Sequence, residues 1–298
     1  MEIVVVGHLS RDLIVTPETR KEMLGGAPAY AMLAPKIGAF GAGIVSKVGL
    51  DFELNYKIDL ISSGLNLTGL HYEGHHSTRF VNEYDVDGER SQRVEALAPK
   101  IKPSDFSDAH LEADIIHFSP LSNDEIDKTC FDIVSESGAL VSLDVQGYLR
   151  SISDEGIVSL QSWTESDQIF GLVDVVKLHD SELKSISADQ SEISIVSHIL
   201  DIGPRIVIVT RDYRGSTIYT HNRHVDIPLI LADAQVDSTG CGDTYVIGFL
   251  LEYMRSVNVL RAGFFAATCS SFNVETMGPY DMPDRVMVES RMRPYLQA

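Results

Sequence analysis

Three cysteines in 298 residues is few, and Cys130, Cys241 and Cys269 are far apart and odd in number. They frame no disulfide scaffold and no CxxC metal site, and a reducing cytoplasm is the expected setting. Basic residues are also scarce: 24 Lys and Arg stand against 43 Asp and Glu, a net charge of −19. Such a balance excludes nucleic acid as the expected partner, because duplexes and single strands are bound through basic surface. A small anionic substrate is still allowed, since a local site can oppose the global charge. No apolar run reaches the 18 residues of a membrane span. The opening Met1-Glu2-Ile3-Val4-Val5-Val6-Gly7 carries no basic segment before its apolar run, so no secretory leader is expected. No GxxxxGK[ST] occurs, which removes a Walker-type phosphate loop, and the glycines from Gly38 to Gly43 do not have the GxGxxG spacing of a dinucleotide site. No repeat, low-complexity linker or charge block divides the chain. A single α/β domain is expected over 1–298.

The most informative stretch is Val236-Asp237-Ser238-Thr239-Gly240-Cys241-Gly242-Asp243-Thr244, followed by an apolar run from Tyr245 to Leu251. It reads as a glycine-rich turn opening a helix over 241–256. Free N–H groups and the positive dipole end of a helix start make an anion site, and glycine lets a ligand approach the backbone. An aspartate in that turn would repel an anion but can accept a proton from a neighbouring hydroxyl. Asp243 as base, with the amides of Gly240, Cys241 and Gly242 holding developing negative charge, is an arrangement for phosphoryl transfer.

The rest of the chain alternates strand and helix. Strands are expected at 2–7, 44–48, 114–118, 139–144, 172–178 and 205–210, with a late hairpin at 216–220 and 223–227. Helices are expected from the Gly-Gly turn to about Ile37, from 51 to 62, and near 123–137, 155–163, 191–201, 259–274 and 282–296. Such alternation builds a mainly parallel sheet covered on both faces. Polar clusters follow several strands and so fall on one sheet edge, where ligands gather. They include Asp12; Gln146 and Arg150; Lys177, His179 and Glu182; and Thr210, Asp212 and Gly215. Glu182 and Asp180 are candidates to hold Mg2+ through water, while Asp180 and Ser181 equally suit a helix cap. The segment 69–97 reads as a polar hairpin turning at Asp87-Gly88, a small sheet projecting from the main body. His71, His75 and His76 lie in it without an acidic or cysteine partner nearby, so a metal site is not expected there.

Taken together, these residues resemble the ribokinase-like, or PfkB, carbohydrate kinase family. Asp237-Ser238-Thr239-Gly240-Cys241-Gly242-Asp243 is similar to its D-T-x-G-A-G-D signature, and Gly25-Gly26-Ala27-Pro28-Ala29 to its G-G-x-x-x-N element. The resemblance runs from Gly7 to about Gly278. It implies a three-layer α/β fold with a β lid over the substrate, formed by about 11–24 and 69–97. It implies transfer of the ATP γ-phosphoryl group with Mg2+, and leaves a monovalent cation open. By resemblance Asp243 is the base. Asp12, Gly25, Gly26 and Tyr30 fall on the acceptor side with Gln146 and Arg150, Glu182 organises Mg2+, and Asn273 lies beside the nucleotide with Lys177, His179, Thr210, Asp212 and Gly215. Three residues depart from the pattern: Tyr30 and His179 each replace an asparagine, and Asp212 replaces a glycine. The stretches 144–150 and 82–93 resemble the inositol-kinase-like branch. The expected acceptor is a small sugar, polyol or inositol. A nucleoside kinase, or a nucleotide-binding protein without turnover, is the alternative. The exposed lid is a candidate homodimer surface.

Overall fold

The structure, a computed structural model, describes residues 1–85 and 90–296. A nine-stranded sheet runs through it. Its strands in chain order are Ile3–Val6 (β1), Ala42–Val48 (β4), Leu65–Tyr72 (β5), Ile115–Phe118 (β8), Leu140–Asp144 (β9), Val175–His179 (β12), Ile206–Thr210 (β13), Ser216–Tyr219 (β14) and His224–Ile227 (β15). The spatial order is β15-β14-β13-β12-β9-β8-β1-β4-β5. All neighbours are parallel except β13–β14 and β14–β15, which are antiparallel.

Side chains alternate across each strand and so divide between two cores. Ile3, Val5, Ile115, Val175 and Ile208 face one core, with Val246, Phe249 and Phe265. Val4, Val6, Phe118, Leu143 and Val176 face the other, with Phe131 and Ile199. Every residue of β1 is buried, which is why the strand reads as an unbroken β-branched run. Burying one such side chain is worth roughly 1.5–3 kcal/mol.

A second, four-stranded sheet has the order β3-β2-β6-β7. Its strands are Ser10–Val15 (β2), Arg20–Gly25 (β3), Arg79–Tyr84 (β6) and Arg90–Ala96 (β7). This is the small sheet expected over 11–24 and 69–97, with one correction. Residues 65–72 belong to the main sheet as its edge strand β5, because Ala42–Val48 offers them a parallel ladder. The Asp87-Gly88 turn lies outside the described residues.

The helices that matter for the site are Ala27–Tyr30 (α1), Cys241–Ser256 (α2) and Val259–Asn273 (α3). The helix expected over 155–163 is absent. That stretch holds Val158–Leu160 (β11), paired antiparallel with Arg150–Ile152 (β10). Gly156 at φ +81° turns the chain back there, which no helix interior accommodates. The helix expected over 123–137 forms only at Thr129–Ser135.

Candidate active site

Strands β1, β8, β9, β12 and β13 end at one edge of the sheet, and α2 begins at that edge. Gly240 is the N-cap of α2, with a left-handed backbone at φ 79°, ψ 0°. A side chain there is blocked twice, because a Cβ would lie 2.0 Å from the Tyr30 ring. The turn is braced locally. Asp237 Oδ1 accepts from the backbone N–H of Thr239 at 2.9 Å and from its hydroxyl at 2.8 Å. The Asn273 amide donates to Thr239 O at 2.8 Å, and the Ser270 hydroxyl to Cys241 O at 2.6 Å. Asn273 therefore turns inward, buried to 2% exposure, as a strut of the turn.

Asp243 sits on the first turn of α2. The Ser119 hydroxyl, just past β8, donates to its Oδ1 at 3.4 Å. The residue is half-buried, and loss of water around the carboxyl lifts its pKa to about 7. The nearby Asp144 charge adds to the rise, while Lys177, Ser119 and Arg150 oppose it. An ordinary carboxylate is a weak base, and burial makes this one stronger while it can still ionise near neutrality.

Beneath the turn lies a buried ion pair that spacing alone does not reveal. Lys177 Nζ donates to Asp144 Oδ2 at 2.8 Å, and both side chains are almost fully buried. The strand register explains it, since Lys177 of β12 lies opposite Asp144 of β9. The ladder brings together residues 33 apart in the chain. Lys177 is thus within a strand and not in the loop after it. His117 of β8, opposite Ser142 of β9, is fully buried, and burial pushes its pKa down to about 4, so its ring is neutral. Its Nδ1 meets the Ser142 hydroxyl at 3.2 Å.

Glu182 closes this side. Its Oε2 accepts from the His179 backbone N–H at 2.6 Å. Burial raises its pKa, against the pull of Lys177. Among the described residues no group of three His, Cys, Asp or Glu forms a protein-only metal cage. A single buried carboxylate fits a Mg2+ that keeps its waters and arrives with phosphate oxygens. The His179 ring spans Asp180 at 3.3 Å and Asp212 at 3.2 Å. Asp212 takes the left-handed backbone at φ 45°, which explains why glycine is the more ordinary choice at that position. Thr210 ends β13, and Gly215 at φ +79° abuts Ile227 O, where a Cβ would stand 2.1 Å away.

On the acceptor side, Asp12 of β2 is buried beside the Gly-Gly turn. A Cβ on Gly25 would stand 2.4 Å from its Oδ2. Gly26 has φ +84°, and its backbone passes His8 O so closely that a Cβ would approach to 2.1 Å. Tyr30 ends α1 with 1% exposure. Its hydroxyl makes no hydrogen bond among the described residues. Burial first, then the charges of Asp243, Asp237 and Asp12, holds its proton on. The hydroxyl is thus enclosed by protein and lies within the field of three carboxylates. Arg150 donates to Leu121 O at 3.1 Å and lies over the Phe80 ring of β6, 5.6 Å from its centroid. Gln146 follows Asp144, donating its backbone N–H to Asp144 Oδ1 at 3.1 Å.

The sequence profile of the pfkB family carbohydrate kinases matches residues 1–285. A cytidine kinase of Thermococcus kodakarensis is 26% identical over 86% of this chain and 89% of its own. An inositol 3-kinase of Arabidopsis thaliana is 25% identical over 93% of this chain and 74% of its own. Among solved structures, a sulfate complex of a pyrophosphate-dependent kinase in the ribokinase family superposes with a TM-score of 0.82 at 20% identity, covering 96% of this chain and 99% of that one. The fold is thus ribokinase-like, with its large mostly parallel sheet and separate small sheet.

Proposed function

The chain belongs to the pfkB family of carbohydrate kinases, and on that premise we propose that it moves the γ-phosphoryl group of ATP to a hydroxyl of a small sugar, polyol or inositol. One observation carries the reading: Asp243 stands on the first turn of a helix that no side chain caps among the described residues, where the Cys241 N–H donates to Ser238 O at 3.2 Å, and loss of water raises its pKa to about 7. The acceptor hydroxyl gives its proton to Asp243 as its oxygen attacks phosphorus. The amides of Gly240, Cys241 and Gly242 hold the charge that builds on the transferred group. Asp12, Tyr30 and Arg150 bind and orient the acceptor. Glu182 would hold Mg2+, and the ion would supply charge neutralisation to the phosphates. His179, Thr210, Asp212 and Gly215 form the donor side. Pairing of two lid sheets in a homodimer belongs to the same reading, and sedimentation of the purified protein tests it.

A second reading, a nucleoside acceptor, has support in the cytidine kinase relative. The Tyr30 ring argues for the smaller acceptor. It is buried against Gly240 and offers no face on which a base would stack.

The test is a donor-consumption screen with Mg2+ across sugars, polyols, inositols and nucleosides. It is run with ATP and with pyrophosphate, with Asp243→Asn beside the wild type. A product formed by the wild type and lost in the variant supports the reading and names the acceptor. Binding of ATP without turnover of any acceptor would favour a nucleotide-binding protein that is not an enzyme.

A further inference from the structure

Lys177 stands out among the buried charges. A lysine so deeply enclosed is costly unless its ammonium has a task that an apolar side chain cannot do. Its neighbours identify one. A Cβ placed on Gly242 would stand 3.0 Å from Lys177 Nζ and 3.6 Å from its Cε, with no other heavy atom within 4 Å among the described residues, chain neighbours and the helix's own backbone aside. The ammonium is therefore lodged directly against Gly242, the last residue of the Gly240-Cys241-Gly242 turn. Gly242 is a glycine at a backbone position of ordinary φ, so space for Lys177 and not backbone strain explains the residue.

We propose that Lys177 is the fixed cation of the anion hole, its ammonium beneath Gly242 stabilising the negative charge that develops on the transferring phosphoryl group. This rests on the phosphotransfer reading above. Lys177 stays protonated throughout, and no proton leaves it. Asp144 makes the pair neutral at a distance, but the Coulomb energy falls with separation, so at Gly242 the nearer charge governs. Asp144 orients Lys177 through the bond of 2.8 Å. The field of the pair supports this division of labour. Burial works against the Lys177 charge, yet Asp144 and Glu182 keep it on, while Asp144 helps keep Asp243 basic. One ion pair thus serves both halves of the reaction, base and hole.

The test removes both charges together, because deleting one would orphan the other in the interior. The double variant Asp144→Asn with Lys177→Met is assayed with an acceptor that the wild type turns over. Its binding of ADP, and of ADP with orthovanadate and Mg2+, is measured by calorimetry. The expected result is a kcat lower by about 10²-fold, the loss typical of one such donor. Acceptor KM and ADP affinity hold within about twofold, and vanadate affinity in the ADP complex falls about tenfold or more. A folded double variant with wild-type kcat and vanadate affinity overturns the proposal. If the variant does not fold, 15N-lysine spectra of the wild type replace it. The ammonium signal of Lys177, assigned by its loss in Lys177→Arg, must shift when vanadate joins ADP, and its standing still overturns the proposal. A wild type that turns over no acceptor and binds no ADP–vanadate overturns the phosphotransfer reading and this proposal together, and is distinguished because the failure precedes any substitution.

Discussion

Asp243 meets two opposed demands. As a base it needs a high pKa, and as a half-buried group it is poorly hydrated, which makes ionisation costly. The structure settles the balance at about 7, through burial first and the Asp144 charge second. Activity with a neutral acceptor should therefore rise as pH climbs toward 7, about tenfold per unit on the acid side, and level off above. Asp243→Asn should abolish that limb and lower kcat by about 10²–10⁴, and a pH–kcat profile of both proteins checks this. The same burial sets a stability effect of predictable sign. The folded pKa lies above the ordinary carboxylate value, so the native state binds the proton more tightly than the unfolded chain, and stability is lost as pH rises through that window. The Asn variant should melt higher than the wild type at pH 8, with the gap narrowing toward pH 4. An equal gap at both pH values would mean that Asp243 is not held in the state described. Tyr30 gives the converse case. Its hydroxyl is buried without a partner, so Tyr30→Phe should leave the melting temperature unchanged or raised. If that hydroxyl receives the acceptor, KM should rise about fivefold to thirtyfold, the loss of one hydrogen bond of about 1–2 kcal/mol, with kcat little affected. An unchanged KM would remove Tyr30 from the acceptor site.

Helix α2 was readable to its ends before any coordinates, because Gly240 at its start and the apolar run after Thr244 are local signals. What the turn packs against was not readable. Tyr30 meets Gly240 across 210 residues of chain, and Lys177 meets Asp144 through strand register, so neither contact has a sequence spacing to betray it. The departure of Tyr30 from the family pattern was visible, but its consequence required the ring to be seen against the glycine. The stretch 155–163 failed for another reason: its periodicity fits a short helix until Gly156 is known to take positive φ. The element-scale prediction follows from the two blocks at Gly240. Gly240→Ala must bear a left-handed backbone, worth about 1–2 kcal/mol, and must also displace a ring that a Cβ would approach to 2.0 Å. Tyr30 is itself buried to 1% exposure, so the ring must displace other protein to give way. The substitution should lower the melting temperature by several degrees and lower kcat as well, which thermal melts and turnover assays of the variant check. The double variant Gly240→Ala with Tyr30→Ala should recover part of the stability without recovering activity. Recovery of both would show that the turn's backbone geometry is unimportant to the chemistry.

At the scale of the whole molecule, the sheet couples everything. Each parallel strand delivers alternate residues to two cores, so neither face can unfold while leaving the other a surface to pack on. Val176 and Lys177 are neighbours in β12, yet Val176 enters one core while Lys177 sits on the opposite face under the anion hole. No disulfide contributes, as Cys130, Cys241 and Cys269 are free. Ile208→Ala on one face and Phe131→Ala on the other each remove a fully buried side chain, and each should cost about 2–5 kcal/mol. Both should move the same calorimetric transition, and a reducing agent should not shift it. Two transitions, each answering to only one of the substitutions, would show that the faces fold as separate units. The ion pair under α2 would then owe its position to one face alone, whereas a single transition ties the geometry of Asp243, Lys177 and Gly242 to the integrity of the entire sheet.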